Sequence, residues 1–296
     1  MWRIIDIGGT DIVIHIRHRN MVAERNGEIL QSIPMSDINS IVCHGDGNMY
    51  SDHFMRYCIE NSIPLVLCNE KHLPCGMFLA FNQNNLSASR IEEQVKVSLP
   101  RKKNAWRQIV EAKLSAQADL LEEIGQKSDA QFIRNQVRNV LSGDSSNREA
   151  VCAKVFFQSI YGNSFSRGND DDNANHLLDY AYTIIRSAVA RAVVSTGLHP
   201  GISLFHSNRI NPYALVDDLM EPLRPFADRK VIELLKKNPR CELTPHTKRV
   251  LIEIANSITQ FRNKNYELTY AVGLYVQSYY HYLISKSDRI DFPTNC

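Results

Sequence analysis

Residues 104–125, NAWRQIVEAKLSAQADLLEEIG, decide the fold class. Trp106, Ile109, Val110, Ala112, Leu114, Ala118 and Leu121 recur at the three- and four-residue intervals of one helix face, not at the two-residue interval of a strand. The stretch that follows keeps this period. Helices are expected over 129–142, 146–161, 174–197, 212–224, 225–238, 246–261 and 265–285, most of them separated by Gly or Pro. The stretch that precedes it reads differently. WRIIDI (2–7), IVIHIRH (12–18), MVAERNGEIL (21–30), QSIPMSDINSIVCHG (31–45) and IPLVLCNE (63–70) are short apolar or β-branched runs, punctuated by Gly8-Gly9, Asn26-Gly27 and Gly45-Asp46-Gly47. Asn26-Gly27 predicts a two-residue hairpin, because both central positions of a type I′ turn need positive φ. One helix interrupts the strands at 51–62, with Ser51 as its cap. The chain therefore reads as α+β. A small β-rich N-terminal domain (1–85) leads through a polar linker (82–103) into a larger all-α domain (86–296).

Composition narrows the function. A chain of 296 residues that is 44% hydrophobic can bury two cores, and a net charge of +2 excludes a basic nucleic-acid coat. The charge is uneven: residues 1–85 carry 6 Lys/Arg against 9 Asp/Glu, which leaves 28 against 23 for the remainder. An anionic partner is expected to meet the C-terminal part. Seven cysteines form no CxxC pair and mostly sit in apolar runs, so they read as small buried hydrophobes in a reducing compartment. The start MWRIIDIGGT shows no charged leader and no window is long enough to span a membrane. A cytoplasmic protein is expected.

Three stretches carry candidate chemistry: NREAVCAKVFF (147–157) with Glu149, LHPGISLFHSN (198–208) with His206, and DDLMEPLRP (217–225) with Glu221. Two carboxylates and an imidazole can hold one divalent cation and leave positions open for phosphate oxygens. Asp218 lies one helical turn before Glu221 and is either a further ligand or a group that orients the others. Each residue has a plainer account. Ser146-Asn147-Arg148-Glu149 is a capping-box pattern, a His after an apolar run is commonly a core or turn residue, and Asp217, Asp218 and Glu221 suit the acidic first turns of a helix. DIGGT (6–10) resembles the first phosphate loop of the actin-like sugar kinases, but the helical pattern that follows leaves no second α/β lobe.

The order and company of these stretches identify a family. NANHLLDYAYTIIRSAVARAVVSTGLHPGISLFH (173–206) and NPYALVDDLMEPLRPFADR (211–229), after a helix bearing Glu149, resemble the CRISPR-associated integrases called Cas one. Glu at 221 and the phrase CNEKHLP (68–74) resemble the type II members. The resemblance implies a metal-dependent DNA endonuclease and integrase that joins the 3′-hydroxyl ends of foreign DNA to a CRISPR repeat by transesterification. It further implies Mg²⁺ or Mn²⁺ on Glu149, His206 and Glu221, double-stranded and forked DNA as substrates, and a homodimer formed through the β domain. Two such dimers would flank the small partner Cas two in a heterohexamer. Candidate phosphate contacts are Arg148, Arg167, Arg224, Arg229, Lys230, Lys248 and Arg249. Two other readings stand beside this one: a catalytically inactive DNA-binding scaffold and the sugar kinase suggested by DIGGT.

Overall fold

The computed structural model describes residues 3–69, 74–78, 84–169, 172–205 and 210–295. The chain divides into two units, Met1–Asn85 and Leu86–Cys296. The first holds strands β1 (Arg3–Ile7), β2 (Val13–Arg17), β3 (Asn20–Arg25), β4 (Glu28–Pro34), β5 (Ile38–Cys43) and β6 (Met49–Tyr50), helix α1 (Asp52–Glu60), and strands β7 (Leu65–Cys68) and β8 (Pro74–Phe78). They form two four-stranded sheets, ordered β1-β5-β7-β8 and β4-β3-β2-β6. In the first sheet β1, β5 and β7 run parallel, a pairing that local sequence patterns do not reveal. In the second, β3 and β4 form the expected hairpin: Arg25 pairs with Glu28, and Asn26 and Gly27 take φ of 53° and 81°. Ser51 caps α1 as its sequence predicts, its hydroxyl accepting the Phe54 N–H at 3.2 Å. Ile14, Met21, Met35, Ile41, Phe54 and Leu65 fill the core between these elements.

The DIGGT turn packs backbone against backbone. Gly45 lies so close to the Gly9 carbonyl that a side chain there would collide with it at 1.8 Å, and Asn48 bridges the two loops through the Gly9 carbonyl (3.0 Å) and the Ile12 N–H (2.8 Å). The Asp6 carboxylate meets His44, the residue that follows the neighbouring parallel strand β5. Gly45 is explained by this close approach, whereas a side chain at Gly8 or Gly9 would meet the side chains of His44 or Ile12.

The second unit is built on α2 (Ser87–Lys96), α3 (Leu99–Glu123), α4 (Lys127–Val137), α5 (Arg148–Tyr161), α6 (Asn173–Ser195), α7 (Ala214–Met220), α8 (Arg224–Lys237) and α9 (Pro245–Ile252). Strands β9 (Ile258–Phe261) and β10 (Lys264–Glu267), helix α10 (Leu268–Leu283) and strand β11 (Thr294–Asn295) complete it. α6 and α10 are largely buried, and α3 buries a stripe running from Ala105 to Leu121. Three sequence expectations are corrected. The polar stretch 82–103 is not a linker throughout, since it contains α2 and the start of α3. The helix expected over 246–261 ends at Ile252 and gives way to a 3₁₀ turn and β9, and the one expected from 265 starts only at Leu268. The helical unit thus carries one small sheet, ordered β10-β9-β11. No helix among the described residues is long and apolar enough to cross a membrane.

The cysteines divide. Cys43, Cys58, Cys152 and Cys241 are buried as expected, whereas Cys68 is half-buried and Cys75 exposed; Cys296 lies outside the described residues.

Candidate active site

Helix α3 carries a lysine where its sequence promises an apolar residue. The stripe that includes Ile109, Val110 and Leu114 also buries Lys113, while Ala112 is only half-buried. The Lys113 ammonium donates to the Glu149 carboxylate and, at 2.5 Å, to Glu221 Oε2. Two acids from distant parts of the chain thereby converge on a single cationic position. Burial disfavours the charged lysine, but Glu221 and Glu149 outweigh it and raise its pKa. The Lys113 and Glu221 side chains retain 6% and 8% of their exposure and Glu149 retains 29%, so the cluster opens to solvent on the Glu149 side.

Glu149 stands in the first turn of α5. The capping-box account does not describe it: Asn147 is left-handed (φ 52°, ψ 41°) and offers no side-chain cap. Asp144 takes that role, accepting the N–H groups of Arg148 and Glu149 at 2.8 and 2.9 Å. The Glu149 carboxylate is therefore directed to Lys113 and not back to its own helix.

Glu221 begins the 3₁₀ turn Glu221–Leu223 between α7 and α8, where Pro222 accommodates the change of helix. Its Oε1 accepts the Arg224 Nε–H at 3.0 Å. The Arg224 guanidinium lies over the Tyr182 ring, 4.6 Å from its centroid, and the Tyr182 hydroxyl donates to Asp228 at 2.5 Å. Burial opposes the Arg224 charge, but Glu221 and the groups behind it prevail and raise its pKa. Burial also pushes the Asp228 carboxyl up to about 6, against the lowering effect of Tyr182 and Arg224. Its second oxygen is buried with no hydrogen-bond partner among the described residues.

Asp218 is fully buried, and its Oδ2 accepts the N–H groups of Leu204 (2.7 Å) and Phe205 (3.1 Å). It therefore orients the backbone that enters position 206. His206 itself lies outside the described residues. The turn before it is fixed at two more points. Gln94 of α2 donates to the carbonyls of His199 (3.1 Å) and Ile202 (3.0 Å) and accepts the His199 N–H (2.9 Å). The Phe205 ring stacks on Trp106 of α3 at 4.5 Å and 3°. Asp217 points elsewhere, paired with Arg186 at 2.7 and 3.0 Å.

Two of the three candidate ligands are thus brought together, and among the described residues no three His, Cys, Asp or Glu form a metal-ligand cluster. Sequence reading missed Lys113, Asp144 and Asp228. The first was detectable, because it falls four residues after Ile109 on the apolar stripe. The candidate phosphate contacts separate in the structure. Arg167 pairs with Asp179, Arg224 with Glu221, Arg229 with Glu123, and Lys230 with Glu253. Arg148 donates to Gln136 at 3.0 Å. Lys248 is buried, 5.5 Å from the centre of the Tyr180 ring, and is poorly placed to meet a phosphate. Arg249 is exposed.

The model of the family described as CRISPR associated protein Cas1 matches residues 7–242, a span that includes every element of this cluster. The chain belongs to the Cas1 family. Among relatives, a CRISPR-associated endonuclease Cas1 from Neisseria meningitidis serogroup C is 33% identical over 281 residues, covering 94% of this chain and 91% of the relative. A Cas1 endonuclease from Korarchaeum cryptofilum is 21% identical over 78% of this chain and 77% of its own length. The fold is similar to that of a casposase bound to its integration product, with a TM-score of 0.84 and 18% identity over 98% of this chain and 93% of the other. It is also similar to a chain of a Cas6-RT-Cas1–Cas2 complex, with a TM-score of 0.76 and 17% identity over 97% of this chain and 35% of that larger one. These two likenesses establish the Cas1 architecture of a strand-rich unit followed by a helical one.

Proposed function

We propose that this chain is a DNA-joining endonuclease and integrase of CRISPR adaptation, with Glu149, Glu221 and His206 holding a divalent cation. The observation that carries this reading is the convergence of Glu149 and Glu221 on one cationic position, together with the pair of N–H groups by which Asp218 directs the chain into position 206. Two carboxylates with one imidazole suit Mg²⁺ or Mn²⁺, the imidazole favouring the latter. Such an ion, when bound, supplies Lewis-acid stabilisation of charge on a phosphate oxygen.

The reaction is an exchange of esters. The 3′-hydroxyl oxygen of the incoming DNA forms a new bond to phosphorus, the bond from phosphorus to the 3′ oxygen of the target strand breaks, and the proton lost by the first oxygen is balanced by one gained by the second. The number of phosphodiesters is unchanged, so no energy-rich cofactor is needed. With water in place of the hydroxyl the same arrangement hydrolyses DNA. The protein's part is positioning and electrostatics: Asp144 orients the first turn of α5, Asp218 the turn into His206, and Arg224 the Glu221 carboxylate.

The named Cas1–Cas2 complex among the fold neighbours supports a Cas2 partner for this chain, and pairing of two copies through residues 1–85 belongs to the same proposal. Two joining reactions at opposite ends of a repeat require two active sites held apart, which a symmetric assembly supplies. The test is strand transfer of a fluorescent duplex into a repeat-bearing plasmid in Mn²⁺ or Mg²⁺. Glu149→Gln, Glu221→Gln and His206→Ala are each expected to abolish joining while DNA binding persists. Joining at the unaltered rate in any of them removes that residue from the site, and absence of joining by the wild type supports a scaffold role.

A further inference from the structure

In the metal-binding reading, Glu149 and Glu221 must leave whatever cation they hold when the metal arrives, and the structure names that cation. Lys113 is buried, it is rooted on α3, and its ammonium reaches both carboxylates at once. Arg224 sits on the other oxygen of Glu221 at 3.0 Å. Two positive side chains, Lys113 and Arg224, therefore stand among three carboxylates, Glu149, Glu221 and Asp228, so a divalent ion entering beside them would leave the cluster with an excess of one positive charge. Like charges repel strongly where water is scarce. That excess is removed in the cheapest way if the lysine, whose flexible stem lets its head move more freely than a guanidinium bound to Glu221 and stacked on Tyr182, withdraws from the carboxylates.

We propose that Lys113 is a resident counter-cation that holds the two catalytic carboxylates together in the metal-free protein and must be displaced from them by the metal. It is a positioning residue that acts through Glu149 and Glu221. Without it the carboxylates would face one another across a partly buried gap and splay apart; with it they stay gathered, at the expense of metal affinity. The inference rests on the metal-site reading given above.

The test measures Mn²⁺ binding to the full chain without DNA, by loss of the free-ion electron paramagnetic resonance signal, and thermal melting with and without Mn²⁺. Wild type, Lys113→Met, Lys113→Gln and Glu221→Gln are compared. Removing the competing charge is expected to tighten Mn²⁺ binding by about tenfold in Lys113→Met, on the scale of one charge interaction lost. In chelator this variant is expected to melt below wild type, and Mn²⁺ is expected to raise its melting temperature by more than it raises that of wild type. Lys113→Gln, whose amide still donates to a carboxylate, keeps the test open if the methionine variant does not fold, and it too is expected to bind more tightly than wild type. Binding no tighter than wild type in a folded Lys113 variant overturns the inference and leaves the metal site intact. Wild-type binding that survives Glu221→Gln overturns the metal-site reading and this inference with it.

Discussion

Asp218 holds Leu204 by a 2.7 Å hydrogen bond from the Leu204 N–H to its Oδ2, and so couples the turn that leads to position 206 to the helix that ends just before Glu221. A residue with this task acts on the site at one remove. Asp218→Ala is expected to lower metal affinity or strand transfer on the order of 10–100-fold, and Asp218→Asn, which keeps an acceptor oxygen, to recover much of the loss. Kinetics of both variants beside Glu221→Gln decide the matter, since an Asp218→Asn variant as inactive as Glu221→Gln would make Asp218 a ligand.

Asp144 is expected to matter for both stability and activity. It satisfies two N–H groups at the start of α5, and its replacement by alanine should cost about 0.5–2 kcal/mol, the usual range for a lost cap. Because the same turn carries Glu149, strand transfer should also fall in Asp144→Ala at temperatures where the protein remains folded. Denaturant titration combined with the joining assay measures both, and full activity with reduced stability would separate the cap from the catalytic carboxylate.

The Asp228 carboxyl, raised by burial from 3.8 to about 6, predicts a definite pH dependence. Between these values the folded chain keeps a proton that the unfolded chain has released, so this group's contribution to stability falls as pH rises from about 4 to 6 and is lost above that. Asp228→Asn removes the titration while retaining an acceptor for Tyr182. The stability of wild type relative to Asp228→Asn is therefore expected to decline over that window, by on the order of 2–3 kcal/mol if the full shift is realised. Urea unfolding of both proteins at pH 4, 5, 6 and 7 checks the sign.

DNA binding by the proposed integrase is expected to depend on phosphate contacts and so to weaken steeply with salt, the logarithmic slope falling by roughly 0.9 for each phosphate neutralised on B-form DNA. Exposed Arg249 is the better test than buried Lys248: Arg249→Ala should flatten the slope and Lys248→Ala should chiefly lower stability. Fluorescence anisotropy from 50 to 300 mM salt, about the range over which such slopes develop, compares the two.

How much of this was legible depended on whether the signal was local. Asn26-Gly27 and Ser51 announced a hairpin and a helix start because the chemistry of one or two residues sets those geometries. The hairpin between β9 and β10 was not announced. Its turn is Arg262-Asn263, at φ 49° and 62°, so the positive angles usually marked by glycine are carried by residues that read as part of a helical run. The parallel pairing of β1 with β5 was hidden for another reason, since strands brought together from distant segments leave no mark at their own positions. In the site, Glu149 and Glu221 could be proposed from motif order and Lys113 could be noticed on the apolar stripe, but not that it stands between the two acids. An apolar stripe tolerates a lysine only where acids from other elements meet it, and that meeting exists only after folding.

The Trp106–Phe205 stack gives the protein an optical gauge of its own. One ring belongs to the helix that carries Lys113, the other to the residue just before position 206, and they lie nearly parallel at 4.5 Å. The chain has only two tryptophans, so with Trp2 replaced by phenylalanine the tryptophan emission comes from this stack. Any rearrangement that draws the turn away from α3 would change the surroundings of a single fluorophore, allowing the movement of the turn to be timed in solution without an attached dye.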